Sequence, residues 1–156
     1  MSIEENKAIF RRWFEMEDFR GIQEAENPKA AIEQTMRKVR EEIYAPDFVV
    51  HTPGVDMPLE SYMQYSIARL DAFPDWNCTI EDMVAEGDKV VARMTYRGTH
   101  KGEFQGIPAT GKEIEVGGVA IARLTGGKFI EGWGYYDRLG MMQQLGVVPS
   151  PGQPGK

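Results

Sequence analysis

The sequence predicts an α+β domain in which helices cover one face of a curved antiparallel sheet. Two observations predict it. Apolar residues recur at helical spacing through the first half of the chain, and from Cys78 to Tyr136 the pattern changes to strand-like runs separated by turn signals. A length of 156 residues is enough for one continuous core, so residues 1–149 read as a single domain and 150–156 as a mobile tail. The hydrophobic share of 42% against 27% charged residues is that of a folded chain.

Ile9, Phe10, Trp13 and Phe14 form the apolar stripe of a first helix, and Gly21 offers its stop. Asn27 before Pro28 is a cap and first-turn pair. Ile32, Met36, Val39 and Ile43 continue from it as a second helix until Pro46. Phe48, Val49 and Val50 lead through His51 into the turn Thr52-Pro53-Gly54, a short strand with a histidine at its end. Asp56 and Pro58 open a third amphipathic segment that Pro74 closes, with Leu59, Tyr62, Met63, Ile67 and Leu70 on one side.

The run from Cys78 to Ala85 turns at Glu86-Gly87-Asp88 into Val90 to His100, a hairpin pattern. A Gly-rich loop then leads to Ile114 through Leu124. Thr125-Gly126-Gly127 turns this run into Phe129 through Tyr136, and Asp137 begins a last short helix ended by Gly146.

Side chains alternate between the faces of a strand, so parity assigns them. Even positions carry the apolar set: Val90, Ala92, Met94 and Tyr96, then Ile114, Val116, Gly118, Ala120 and Ala122, then Ile130, Gly132, Gly134 and Tyr136. Gly118, Ala120, Gly132 and Gly134 leave space in the middle of that inner face. Either the helices fill it by close approach, or a ligand pocket remains. On the outer face Val119, Ile121, Trp133 and Tyr135 make an apolar group large enough to expect a homodimer through it. The alternative is that the stems of Arg123 and Glu131 cover the rings in a monomer.

The net charge of −6 without a basic cluster disfavours a nucleic-acid partner. Cys78 is the one cysteine, which excludes an intramolecular disulfide and suits a reducing cytoplasm. No apolar run has the length of a membrane span, and the N-terminal residues lack the apolar stretch of a signal peptide, so neither membrane insertion nor secretion is expected. Two histidines without a matching carboxylate pair make no metal site, and the glycines form no phosphate loop.

Several short motifs stand in order: Arg97-Gly98-Thr99-His100, Gly106-Ile107-Pro108-Ala109-Thr110-Gly111-Lys112, Gly127-Lys128-Phe129-Ile130-Glu131-Gly132-Trp133, and Gln143-Gln144-Leu145-Gly146, with Asp47 to Pro53 upstream. Together they resemble the SnoaL-like polyketide cyclases. The resemblance implies the cone of nuclear transport factor 2, in which helices close one mouth of a curled sheet around a pocket. It also implies a cofactor-free reaction on a small hydrophobic carbonyl compound: an aspartate on the last strand removes a proton alpha to a carbonyl, and the enolate attacks a second carbonyl. Counting back from Gln144-Leu145-Gly146 places that aspartate at Gly134 and its companion histidine at Ala120, so neither group is present. The family's acid/base pair does not carry over.

The remaining candidates are weighed against plain structural roles. His51 as acid/base stands against a histidine that only bonds a backbone carbonyl. His100 shares the inner face with Tyr96, near the strand end, and imidazole as a group is suited to proton transfer near neutral pH, so either histidine could act as base. Tyr96 and Tyr136 point inward and could polarise a substrate oxygen, or pack with their hydroxyls on buried partners. Trp13, Tyr62 and Met63 would wall the pocket from the helices, with Met94, Gly118, Ala120, Gly132 and Gly134 on the sheet side. Asp82 reads as an inner-face carboxylate able to serve an epoxide hydrolase or dehydratase, and Asp137 as a helix cap that only a bulge would turn inward. A non-catalytic module for a hydrophobic ligand is the alternative from another class.

Overall fold

A computed structural model describes residues 1–152; residues 153–156 of the expected mobile tail lie outside the described residues. The elements run α1 (Ile3–Met16), a short 3-10 turn (Ile22–Glu24), α2 (Pro28–Ile43), β1 (Tyr44–Thr52), β2 (Val55–Pro58), α3 (Leu59–Ala72), β3 (Asn77–Glu86), β4 (Lys89–Thr99), β5 (Glu113–Thr125), β6 (Lys128–Tyr136) and α4 (Arg138–Gln144). Local chemistry sets the helix starts. Ser2 and Glu5 exchange side-chain and backbone bonds of 3.1 and 3.0 Å in a capping box. Asn27 caps α2 by accepting from the Ala30 amide at 3.1 Å, with Pro28 at the first position. Asp137 caps α4 by accepting from the Gly140 amide at 2.9 Å.

The six strands form one curved, unclosed sheet in the order β2-β1-β6-β5-β4-β3. The sheet is mixed, not wholly antiparallel as expected. The chain leaves β1 through β2 and α3, starts again at the far edge with β3, and builds inward through β4 and β5 until β6 lies beside β1; that pair is parallel, with Val50 against Gly132 and His51 against Trp133. Asp56 to Pro58, expected as a helix start, instead pairs back on β1 as β2, with Asp56 opposite His51.

The even-face rule holds along β4 and β5, where Val90, Ala92, Met94, Ile114, Val116, Ala120 and Ala122 are buried. Two bulges break it elsewhere. On β3 the register slips so that Ile80 faces Met94 but Asp82 faces Arg93, which turns Asp82 outward. On β6 the slip sets Leu124 opposite Phe129, so Phe129 and not Ile130 enters the core.

The helices meet the sheet through aromatic rings. Phe10 and Trp13 of α1 lie edge to face at 5.4 Å, and Trp13 meets Phe129 at 5.3 Å. Tyr44 continues the cluster to Phe48 at 4.6 Å and Tyr62 at 5.9 Å. At the far end of the sheet, the Lys101 and Gly102 amides both donate to the Ala72 carbonyl at 2.9 and 3.2 Å. A Cβ at Gly102 would lie 2.4 Å from the Asp71 carbonyl oxygen, so only glycine permits this approach. The contact ties the β4–β5 loop to the end of α3, beside the site.

Candidate functional site: an aromatic cavity between helices and sheet

A cavity of about 370 Å³ lies between the helices and the inner face of the sheet. The helix side supplies Trp13, Tyr62, Tyr65 and Arg69; the sheet supplies Phe48, Val50, Tyr96, Ala120, Gly132, Gly134 and Tyr136; the β4–β5 loop adds Phe104 and Gln105, and α4 adds Arg138 and Met141. Small residues on the sheet maintain the space. A Cβ at Gly134 would meet nothing within 4 Å, whereas one at Gly132 would touch the Phe48 ring at 3.2 Å. Gly134 is therefore open volume, and Gly132 is where Phe48 packs.

Six tyrosines contribute to this lining, among them Tyr44 and Tyr65. Burial pushes the Tyr62 and Tyr136 hydroxyls up to about 12 and raises Tyr44 and Tyr96 as well. All four stay protonated at neutral pH and act as hydrogen-bond donors, not bases. Among the lining residues there is no carboxylate and no imidazole, and the charged ones are Arg69 and Arg138. The cavity can polarise an oxygen but lines up no acid/base side chain against it.

Several expected site residues lie elsewhere. His51 shares the outer face with Trp133, because one face of β1 is continuous with one face of β6. Its ring lies 5.5 Å from that of Trp133, with Nδ1 2.8 Å from Asp56 and Nε2 2.7 Å from Glu131. It is not a cavity residue. His100 is fully buried beyond the cavity wall, stacked on Phe73 at 5.2 Å. Its Nδ1 accepts from the Thr110 amide at 3.2 Å, which places the proton on Nε2, and that atom has no partner among the described residues. Asp82 is exposed and accepts from the Met83 amide at 2.9 Å. Met63 and Met94 are core residues behind the wall. At Gly118, a Cβ would fall 2.6 Å from both Tyr96 Cε2 and the Tyr135 carbonyl oxygen, so the space there is filled by Tyr96 and not left to a ligand.

The sequence reading missed Arg69, Glu17 and Trp76. Arg69 lies three and seven residues after Ser66 and Tyr62, on their face of α3, and a charged residue within that stripe was the available signal. Nothing local marks Glu17, the residue at the α1 C-terminus, as a buried acid. Burial raises the Glu17 pKa, opposed by Arg69 and by the Trp13 indole.

On the outer face, Asp56, His51, Glu131 and Arg123 form a chain of charge-assisted bonds, Arg123 and Glu131 being joined through Nη2 and Oε1. The bonds to Asp56 and Glu131 raise the His51 pKa above its ordinary 6.5, and those from Arg123 and His51 lower Glu131 below its ordinary 4.5. The His51 contribution is complete below pH 6.5 and is lost as pH rises through the raised value; that of Glu131 is present above 4.5 and is lost as pH falls through the lowered one. Both act between these limits. His51→Ala should therefore lower Tm most within that window and least at alkaline pH, by a modest amount that salt reduces. A Tm difference that does not change with pH would remove the pairing from the stability of this face.

The family model of SnoaL-like polyketide cyclases matches residues 27–145. A protein of Jannaschia sp. CCS1 assigned to those cyclases superposes with a TM-score of 0.76 at 23% identity, covering 96% of this chain and 97% of that one. AclR from Streptomyces galilaeus, a proposed hydroxylase, gives 0.76 at 24% identity over 96% and 85% of the two chains. IdmH from Streptomyces antibioticus, a proposed polyketide cyclase, is 32% identical over 76% of this chain and 92% of its own, with a TM-score of 0.65. The comparison with curated protein sequences found no match. The matched residues run from the cap of α2 to the end of α4 and carry the whole sheet that builds the cavity, and by this match the chain belongs to the SnoaL-like polyketide cyclase family.

Proposed function

We propose that the protein is a cyclase-type enzyme that takes a small, largely apolar carbonyl compound of polyketide type into this cavity without a cofactor. The carrying observation is the lining itself: aromatic walls for a flat skeleton, open volume at Gly134, and buried tyrosine hydroxyls held as donors. Such donors stabilise negative charge on a carbonyl oxygen as an enolate develops. The walls hold a folded chain with its reacting carbons close. A carbon flanked by two carbonyls is acidic enough to lose its proton to a water molecule once its oxygen is so held. The enolate carbon then bonds to a carbonyl carbon of the same molecule, and the resulting alkoxide takes up a proton. Family membership and the likeness to IdmH support this reading.

A second reading is favoured by the absence of a carboxylate or imidazole among the lining residues: a binding module for the same class of compound. Solvent deuterium exchange separates the two. An aromatic 1,3-diketone bound by the protein should exchange its central protons faster than in buffer, and Tyr96→Phe with Tyr136→Phe should abolish the acceleration. Tight binding without any acceleration supports the module and overturns the enzyme.

The outer face is proposed as the contact between two copies of the chain. Tyr135 is exposed there, beside the ring of Trp133, while Lys89 and His51 cover part of the indole. Sedimentation at micromolar concentration should give twice the chain mass, and Tyr135→Glu should return it to the monomer. A wild-type monomer overturns the contact.

A further inference from the structure

Arg69 stands in the cavity wall with its side chain 11% exposed. Its guanidinium carbon lies over Trp76, 4.5 Å from the ring centroid, and Trp76 stacks in turn on Tyr96 at 5.4 Å and 26°. The ring contact holds the fork in place but satisfies none of its five N–H donors. Glu17, the neighbouring acid, approaches no closer than 4.0 Å, outside hydrogen-bond reach, and Nε has no partner among the described residues. Burying a charged group without hydrogen bonds is costly, so donors left in this state mark a place where an acceptor belongs.

The lining supports the same conclusion from charge. Both of its charged side chains are arginines, Arg69 in the wall and the exposed Arg138, in a chain whose net charge is −6. Negative residues are thus kept off the cavity surface although they outnumber positive ones in the chain. Glu17 sits behind the guanidinium, close enough to balance its charge and too far to occupy its donors.

We propose that Arg69 anchors an anionic oxygen of the ligand, so that the cavity selects flat, mainly apolar compounds bearing a carboxylate or an enolate-type oxygen. This rests on the reading of the cavity as the ligand site. The planar fork suits two coplanar oxygens of a carboxylate, or one delocalised oxygen of an enolate, and the Trp76 and Tyr96 rings of the same lining offer faces to a flat skeleton.

The test uses the full chain and calorimetric titration with three probes: 2-naphthoate, its neutral analogue methyl 2-naphthyl ketone, and 4-nitrophenolate as an enolate mimic. The wild type should prefer naphthoate to the ketone by about tenfold or more. Arg69→Met should remove that preference and leave ketone affinity within about threefold of wild type. Because the single variant leaves Glu17 buried without its cation, the double variant Glu17→Gln with Arg69→Met, which removes both charges, is measured alongside and should show the same loss. An Arg69-dependent gain larger for 4-nitrophenolate than for naphthoate assigns the site to enolate-type oxygens; the reverse assigns it to carboxylates. Ketone binding equal to naphthoate in the wild type, or a preference that survives in both variants, overturns the anchor alone. If none of the probes binds the folded wild type, the ligand cavity falls and the anchor with it.

Discussion

Gly134→Phe should abolish ligand binding while leaving the protein folded and at least as stable as the wild type. The position is extended strand paired with Ala120, and a Cβ there meets nothing within 4 Å, so the new side chain leaves the strand into the open volume of the cavity. Phenylalanine also favours the strand and buries apolar area that glycine does not. The same ring occupies the space a ligand needs, and affinity should fall about a hundredfold or more, since overlap with a ring cannot be relieved without unpacking the wall. Gly118→Ala is the contrasting control. Its Cβ would lie 2.6 Å from a backbone oxygen, and it should lower stability by about 1–3 kcal/mol. Thermal melts with calorimetric titration check both. A Gly134→Phe variant that binds like the wild type would place the ligand outside this cavity.

Glu17→Ala should destabilise the fold by about 3–5 kcal/mol, because it leaves the Arg69 guanidinium buried without its counter-charge. Removing both members, as in Glu17→Gln with Arg69→Met, should recover most of that loss, since no buried charge is then left alone. The pH dependence has a definite sign. Burial holds the Glu17 pKa above its ordinary 4.5, so over the range from 4.5 to the raised value the folded state binds more protons than the unfolded one. Its contribution is therefore greatest below 4.5 and declines as pH rises through that range. Urea unfolding of the wild type against Glu17→Gln should show the wild type losing ground across this interval. An anionic ligand should also raise the Tm of Glu17→Ala more than that of the wild type, because it supplies the missing charge. A neutral effect of Glu17→Ala would mean that Arg69 is satisfied by solvent.

The helices and the hairpin were legible because their signals are local. Asn27-Pro28, Asp137 three residues before Gly140, and the turn residues at Glu86-Gly87-Asp88 act over a few positions, and the motifs from Arg97 to Gly146 carried the family. The inner face of β4 and β5 followed from alternation alone. Parity failed where one residue was inserted: the slips on β3 and β6 turned Asp82 outward and Phe129 inward, and no composition marks a bulge that cross-strand pairing creates. His51 was misplaced for a related reason, since the face it occupies depends on its parallel partner β6, some eighty residues further along the chain.

The sequence by itself determined the class of fold and the family; it left the small residues of the inner face open between close helix packing and a pocket, and by resemblance alone set Gly134 and Ala120 at the positions of the family's acid/base pair. Tertiary structure alone decided that a cavity remains and what surrounds it. Glu17 from the end of α1, Arg69 from α3 and Trp76 from the turn before β3 meet only when the helices close over the sheet. Each is unremarkable in its own segment. Their significance comes from burial, which keeps tyrosines protonated, holds the Arg69 guanidinium with its Nε unpartnered among the described residues, and makes an isolated charge costly.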